Sequence, residues 1–168
     1  TQADDVYSEG LSQIFEENFI ASGGTIVARE VYAAGDTDFT AQLEAIAAQT
    51  PDAVFMPGFA REVAPAVKQA RAIPGMNTNG ATSPFLGGDG WDNPALFADG
   101  GDALEGSFFS VLFSSETSDS AAVRFVEAYR VAFGISPDGA AAMGYDAMRL
   151  LGQVIRRADT LEGAAIRD

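Results

Sequence analysis

The chain has 168 residues, 47% of them apolar and 20% charged, which supports one domain, or one and part of another, and excludes a disordered tail or a collagen-like repeat. Ten basic against 24 acidic residues leave a net charge of −14, which repels phosphate and argues against nucleic acid or an anionic membrane as partner. Cys and His are both absent, so disulfides, thiolate nucleophiles, the usual zinc sites and a Ser-His-Asp triad are excluded.

In chain order, Asp4 or Asp5 can cap a first helix. Its apolar residues Tyr7, Leu11, Ile14, Phe15 and Phe19 recur at helical spacing up to Gly23-Gly24. Thr25 to Tyr32 alternates and is β-branched, which predicts a strand. A turn at residues 35–38 leads into a second helix with Phe39, Leu43 and Ile46 inward, ended by Pro51. The run Asp52 to Met56 predicts a strand buried on both faces. A third helix is expected from Arg61 to Ile73 with Val63, Val67 and Ala70 inward, then a Gly/Asn/Thr loop from Pro74 to Ser83.

Further strands are expected at Pro84 to Gly88 and Glu105 to Phe113. The order αβαβαββ with short connections is that of a Rossmann-like parallel α/β sheet with flanking helices. The polar stretch Ser114 to Ser120 carries no core residue and marks a boundary or hinge, so the domains are read as 1–113 and 114–168. Two amphipathic helices follow, Ser118 to Phe133 and Gly139 to Ala158; Met143, Leu150, Leu151 and Val154 are expected inward in the second. Thr160 can cap a third, running to Asp168. Apolar runs are too short to span a bilayer.

Ligands of parallel sheets bind beyond the carboxyl ends of the strands. Phe59 follows the DAVFM strand, Asp89 and Trp91 follow the PFLGG strand, and Tyr7 stands at the start of the first helix. Aromatics around one carboxylate suit a cation flanked by π faces. They do not suit proton transfer, because no second titratable group accompanies Asp89. No catalytic residue, metal site or cofactor is therefore expected. The Gly-rich stretch 87–90 lacks the Lys-Ser/Thr of a phosphate loop. Plainer readings stand beside these: Tyr7 and Phe59 as core, Asp89 as a turn former, Trp91 as cover for the sheet edge.

The series YSEGL, DFTAQLEAIAAQTPDAVFMPGF, AREVAPAVKQAR, PFLGGDGWDNPAL, EGSFFSVLF, FVEAYRVAFG and GYDAMRLLGQVIRRA resembles the type I periplasmic binding proteins of branched-chain amino acid ABC transporters, the leucine/isoleucine/valine-binding family. The resemblance implies an extracytoplasmic, periplasmic solute-binding protein that catalyses nothing, binds an amino acid or related small polar ligand between two lobes, and is read by a membrane permease. An alternative of the same fold is a ligand-sensing regulatory domain. By matching motifs it implies that Asp89 takes the ligand ammonium, with Tyr7 and Phe59 around it and Trp91 bordering the cleft. Phe59 stands where the family commonly has Tyr, so specificity is expected to differ.

The resemblance makes residues 1–113 the second lobe and 114–168 a segment crossing back to a first lobe that should precede Thr1. The chain starts at Thr1 without Met, as a processed molecule or a fragment would. In the family's strand order the TIVAREVY and DAVFM strands flank a strand this sequence does not contain. That slot is expected to be filled by the missing N-terminal segment, by a second copy, or by rearrangement of residues 114–168.

Overall fold

The structure is a computed structural model that describes residues 1–74, 76–78 and 81–167, with the backbone alone at 77, 78, 81 and 82. It divides into two units, Thr1–Val111 and Leu112–Asp168. Among the described residues no helix is long and apolar enough to cross a membrane.

In the first unit, helix α1 (Val6–Ala21) starts where Asp5 caps it, its carboxylate accepting from the N–H of Ser8 at 2.7 Å. Helix α2 (Thr40–Ala47) and helix α3 (Ala60–Ala70) alternate with strand β1 (Val54–Phe55). Strands β2 (Asn77–Thr78) and β3 (Ala81–Thr82) pair antiparallel within the predicted loop 74–83, of which residues 75, 79 and 80 lie outside the described residues. Strand β4 (Phe85–Gly87), helix α4 (Pro94–Gly100) and strand β5 (Phe108–Phe109) complete the unit.

The sheet has the order β1-β4-β5, all parallel, with Val54 opposite Phe85 and Leu86 opposite Phe108. Its strands are shorter than the apolar runs that predict them: Glu105 to Phe113 pairs only at Phe108–Phe109. The core lies under the face of α3, where Val63, Val67 and Ala70 are fully buried together with Phe85 and Trp91. Arg71, just past α3, fixes the far side of this core. Its guanidinium donates to the carbonyls of Ala103 and Ser83 and lies 5.5 Å from the Phe85 ring centroid. Burial lowers its pKa, yet the residue remains a cation.

The predicted strand Thr25 to Tyr32 is corrected by the structure. Residues 25–31 keep the period-two alternation of exposure but belong to no ladder; one parallel bridge joins Tyr32 to Gln2. Alternation prepares a segment for pairing, but a strand exists only where a neighbour supplies backbone partners. Here the neighbour is three residues long: Thr1 N donates to Glu30 O, Tyr32 N to Thr1 O, and Ala3 N to Tyr32 O. The stripe of α1 is likewise largely uncovered. Ile14 and Phe19 are exposed, and only Ser8 of the helix is buried.

The second unit holds helix α5 (Ser120–Phe133), helix α6 (Gly139–Ala158) and helix α7 (Gly163–Arg167). Asp119 and Asp138 cap the first two, and Gly134 closes α5 in the left-handed region at φ 73°. The predicted last helix starts later than Thr160, and Asp168 lies outside the described residues. The small core is Phe125, Val126 and Ala142, with Phe113 and Tyr129 against it. Met143, Leu150 and Leu151, expected inward, are exposed within this unit. A pair of helices buries one narrow seam, and the rest of a wide apolar stripe stays open.

Candidate functional site

The carboxyl ends of β1 and β4 form one rim, and the start of α1 meets it there. Tyr7 stands in the first turn of α1, where the Asp5 cap sets the helix direction. Its hydroxyl donates to Asp89 Oδ1 at 2.9 Å and accepts from the N–H of Gly90 at 2.8 Å. Its ring stacks on Phe59, which precedes α3, with centroids 5.3 Å apart. Asp89 opens the 3-10 turn Asp89–Trp91 directly after β4. Three of the four residues singled out in the sequence thus form one cluster on one rim.

Trp91 does not join them. It is fully buried, and its indole N–H donates to Met56 O at 3.0 Å. The expectation that it borders an open cleft is corrected: it supports the 89–91 turn from below, as a buried Trp must find a partner for its N–H. A Cβ on Gly87 would collide with its ring, so that glycine is what lets the indole lie flat under the strand end.

Two further features were not read from the sequence. Ser8 is fully buried; its hydroxyl accepts from Gln2 N–H and donates to Pro57 O, tying the chain before α1 to the end of β1. Gly90 is needed for close approach. A Cβ there would lie 2.5 Å from Gly58 O and 3.2 Å from the Phe59 ring. The YSEGL and GGDGW motifs contain both residues, but neither a buried hydroxyl nor a backbone contact has a periodic signature.

Electrostatically the rim is half-buried and acidic. Burial is the main cause that raises the Tyr7 pKa; the Gly90 N–H opposes it and Asp89 adds to it. The phenol is therefore a proton donor to Asp89 at neutral pH. Asp89 has no ion-pair partner among the described residues. The exposed face of Phe59 lies beside Tyr7. A half-buried carboxylate without a countercharge, flanked by aromatic surface, suits a small ligand with an ammonium group.

The sequence pattern of the family described as "Periplasmic binding protein" matches residues 1–168. The chain belongs to the periplasmic binding protein family. Within this family it is similar to a leucine binding protein, LivK, of Thermotoga maritima. The two are 36% identical with a TM-score of 0.89, over 99% of this chain and 46% of that one. The branched-chain amino acid transporter substrate binding protein LivJ of Streptococcus pneumoniae, solved in complex with isoleucine, is 29% identical at TM-score 0.85, over 98% and 44% of the two chains. The Leu/Ile/Val-binding protein BraC3 of Rhizobium johnstonii is 30% identical over 104 residues, 62% of this chain and 27% of that protein. These likenesses put the chain among type I periplasmic binding proteins of the branched-chain amino acid group, whose named members are binding proteins rather than enzymes. The chain spans about half the length of these solved relatives.

Proposed function

We propose that this chain is the part of an extracytoplasmic, periplasmic solute-binding protein that presents one wall of an amino acid site. Asp89 takes the ligand ammonium, Tyr7 orients that carboxylate, and Phe59 offers apolar surface. Trp91 contributes by holding the Asp89 turn. Residues 1–113 act as the second lobe of the whole protein and 114–168 lead back towards the first. Closure of the lobes creates the form that a permease recognises. The observation that carries this reading is the Tyr7–Asp89–Phe59 cluster, with its unpaired carboxylate, at the strand ends. Relatives named for leucine, isoleucine and valine supply the ligand class.

Calorimetric titration of the full-length protein with leucine, isoleucine and valine tests it. Binding of at least one is expected, with a loss of about 100-fold or more for Asp89→Ala, because a ligand cation would be left unpaired on closure. Unchanged affinity in a folded Asp89→Ala protein removes the ammonium role.

A further inference from the structure

The rim of Tyr7, Phe59 and Asp89 borders one more polar atom, the main-chain carbonyl oxygen of Gly58. We propose that Gly58 O is a second acceptor for the ligand ammonium, beside Asp89, and that Gly90 is the position that keeps this acceptor within reach. The assignment deepens the amino acid site proposed above and rests on it.

The position of this carbonyl, its lack of a partner and its rigid setting carry the assignment. The point where a Gly90 Cβ would stand is 2.5 Å from Gly58 O, 3.1 Å from the Tyr7 hydroxyl oxygen and 3.2 Å from the Phe59 ring. The carbonyl thus lies beside the phenol that bonds Asp89. Gly58 is buried, and among the described residues its oxygen accepts no hydrogen bond. The great majority of buried backbone carbonyls have a partner. The carbonyls on either side do: Pro57 O accepts from the Ser8 hydroxyl, and Phe59 O from the N–H groups of Glu62 and Val63. These bonds fix the peptide at both ends. The Tyr32 hydroxyl packs against the Cα of Gly58, where a Cβ would collide with it, and makes no hydrogen bond to the carbonyl. Gly58 O is therefore held ready for a partner that comes from the rim side.

The number of free acceptors says which partner fits. A lone pair of the Tyr7 hydroxyl takes the Gly90 N–H, so its proton goes to Asp89 Oδ1. Asp89 Oδ2 has no donor among the described residues. The rim thus offers one charged and one neutral oxygen, each short of a donor, with the Phe59 ring between apolar and polar surface. A neutral hydroxyl brings one proton and no charge. An ammonium brings a charge for Asp89 and a second N–H for the carbonyl, and a desolvated cation is costly unless its protons are paired. Phe59 has no hydroxyl with which to take that second proton, which leaves it to the main chain. An alanine methyl at position 90 would press on Gly58 O, so Gly90 determines whether the carbonyl is open to the ligand.

The test uses the full-length protein, isotope-labelled at glycine carbonyl carbons and phenylalanine nitrogens, so that NMR reads the Gly58–Phe59 peptide as a pair. Saturating leucine is expected to move the Gly58 carbonyl resonance downfield, as a new hydrogen bond does. The analogue of leucine lacking the amino group is expected to leave it in place. An unmoved carbonyl with leucine, or equal movement with both ligands, overturns the proposal. Calorimetry on Gly90→Ala supplies a second measurement. Leucine affinity is expected to fall about 10-fold or more, the worth of a hydrogen bond to a charged group, and that of the analogue to change little. Equal losses for the two ligands contradict the ammonium contact. If circular dichroism shows that Gly90→Ala does not fold, the carbonyl resonance decides alone. Absence of leucine binding, or leucine affinity unchanged in Asp89→Ala, overturns the amino acid site itself and this acceptor with it.

Discussion

Residues 25–31 and strand β4 are two β-prone stretches of the same unit with opposite surroundings. Strand β4 has a parallel partner on each side, and its Phe85 is fully buried beneath α3. Among the described residues, 25–31 join no strand ladder: Glu30 O accepts from the Thr1 amine, Val31 O from the Gln42 side chain, and Val27 and Val31 are exposed. Intrinsic β preference is high in both; the difference is made by neighbours. A strand is a joint property of two or three segments, so half of a sheet can be correct in sequence and still lack its ladder. The same reasoning explains α1, which is well capped at Asp5 while its apolar stripe faces a groove instead of a sheet.

That contrast is sharpest in truncations. In the chain beginning at Thr1, Phe85→Ala is expected to cost about 3–5 kcal/mol by urea unfolding, through lost burial and the cavity left behind. Val27→Ala is expected to stay within about 0.5 kcal/mol, as surface changes do. Similar losses at both positions would show that residues 25–31 are packed after all. Ser8→Ala is the next largest effect, about 2–3 kcal/mol, because it strands the buried Gln2 N–H and Pro57 carbonyl at the mouth of the groove.

The smallest expected effect, confined to the chain beginning at Thr1, is a pH slope. Burial lowers the pKa of the Thr1 amine below its usual 8.0. Between the folded and unfolded values the unfolded chain binds more protons, so stability rises with pH across a window that ends near 8.0. Acetylating the amino terminus should remove this slope. A slope of opposite sign, or one that survives acetylation, would show that another group controls stability there.

Legibility in the sequence followed the same line between local and shared properties. The Asp5 cap, the α3 face of Val63, Val67 and Ala70, and the Gly134 stop are local signals and are found in place. Grouping Tyr7, Phe59 and Asp89 needed only the rule that parallel strand ends converge on one rim. Trp91 is expected to border the cleft because it follows a strand end; the buried acceptor at Met56 O lies 35 positions away and leaves no local trace. Ser8 and Gly90 act through contacts distant in sequence, and their small size hides them from any periodic pattern. The strand lengths were overestimated because apolar runs mark burial, whereas ladders end where partners end. Met143 and Leu151 show the converse: their helical spacing is right, but a helix stripe is buried only where something covers it.

The most direct test of the central claim is a thermodynamic cycle between Asp89 and the ligand ammonium. Full-length protein and its Asp89→Asn variant would be titrated with leucine and with its analogue lacking the amino group. Leucine is expected to lose about 100-fold or more in affinity on substitution, and the analogue to change little, since only leucine carries the cation that Asp89 neutralises. Equal losses for the two ligands would contradict an Asp89–ammonium pair, as would an unchanged affinity for leucine.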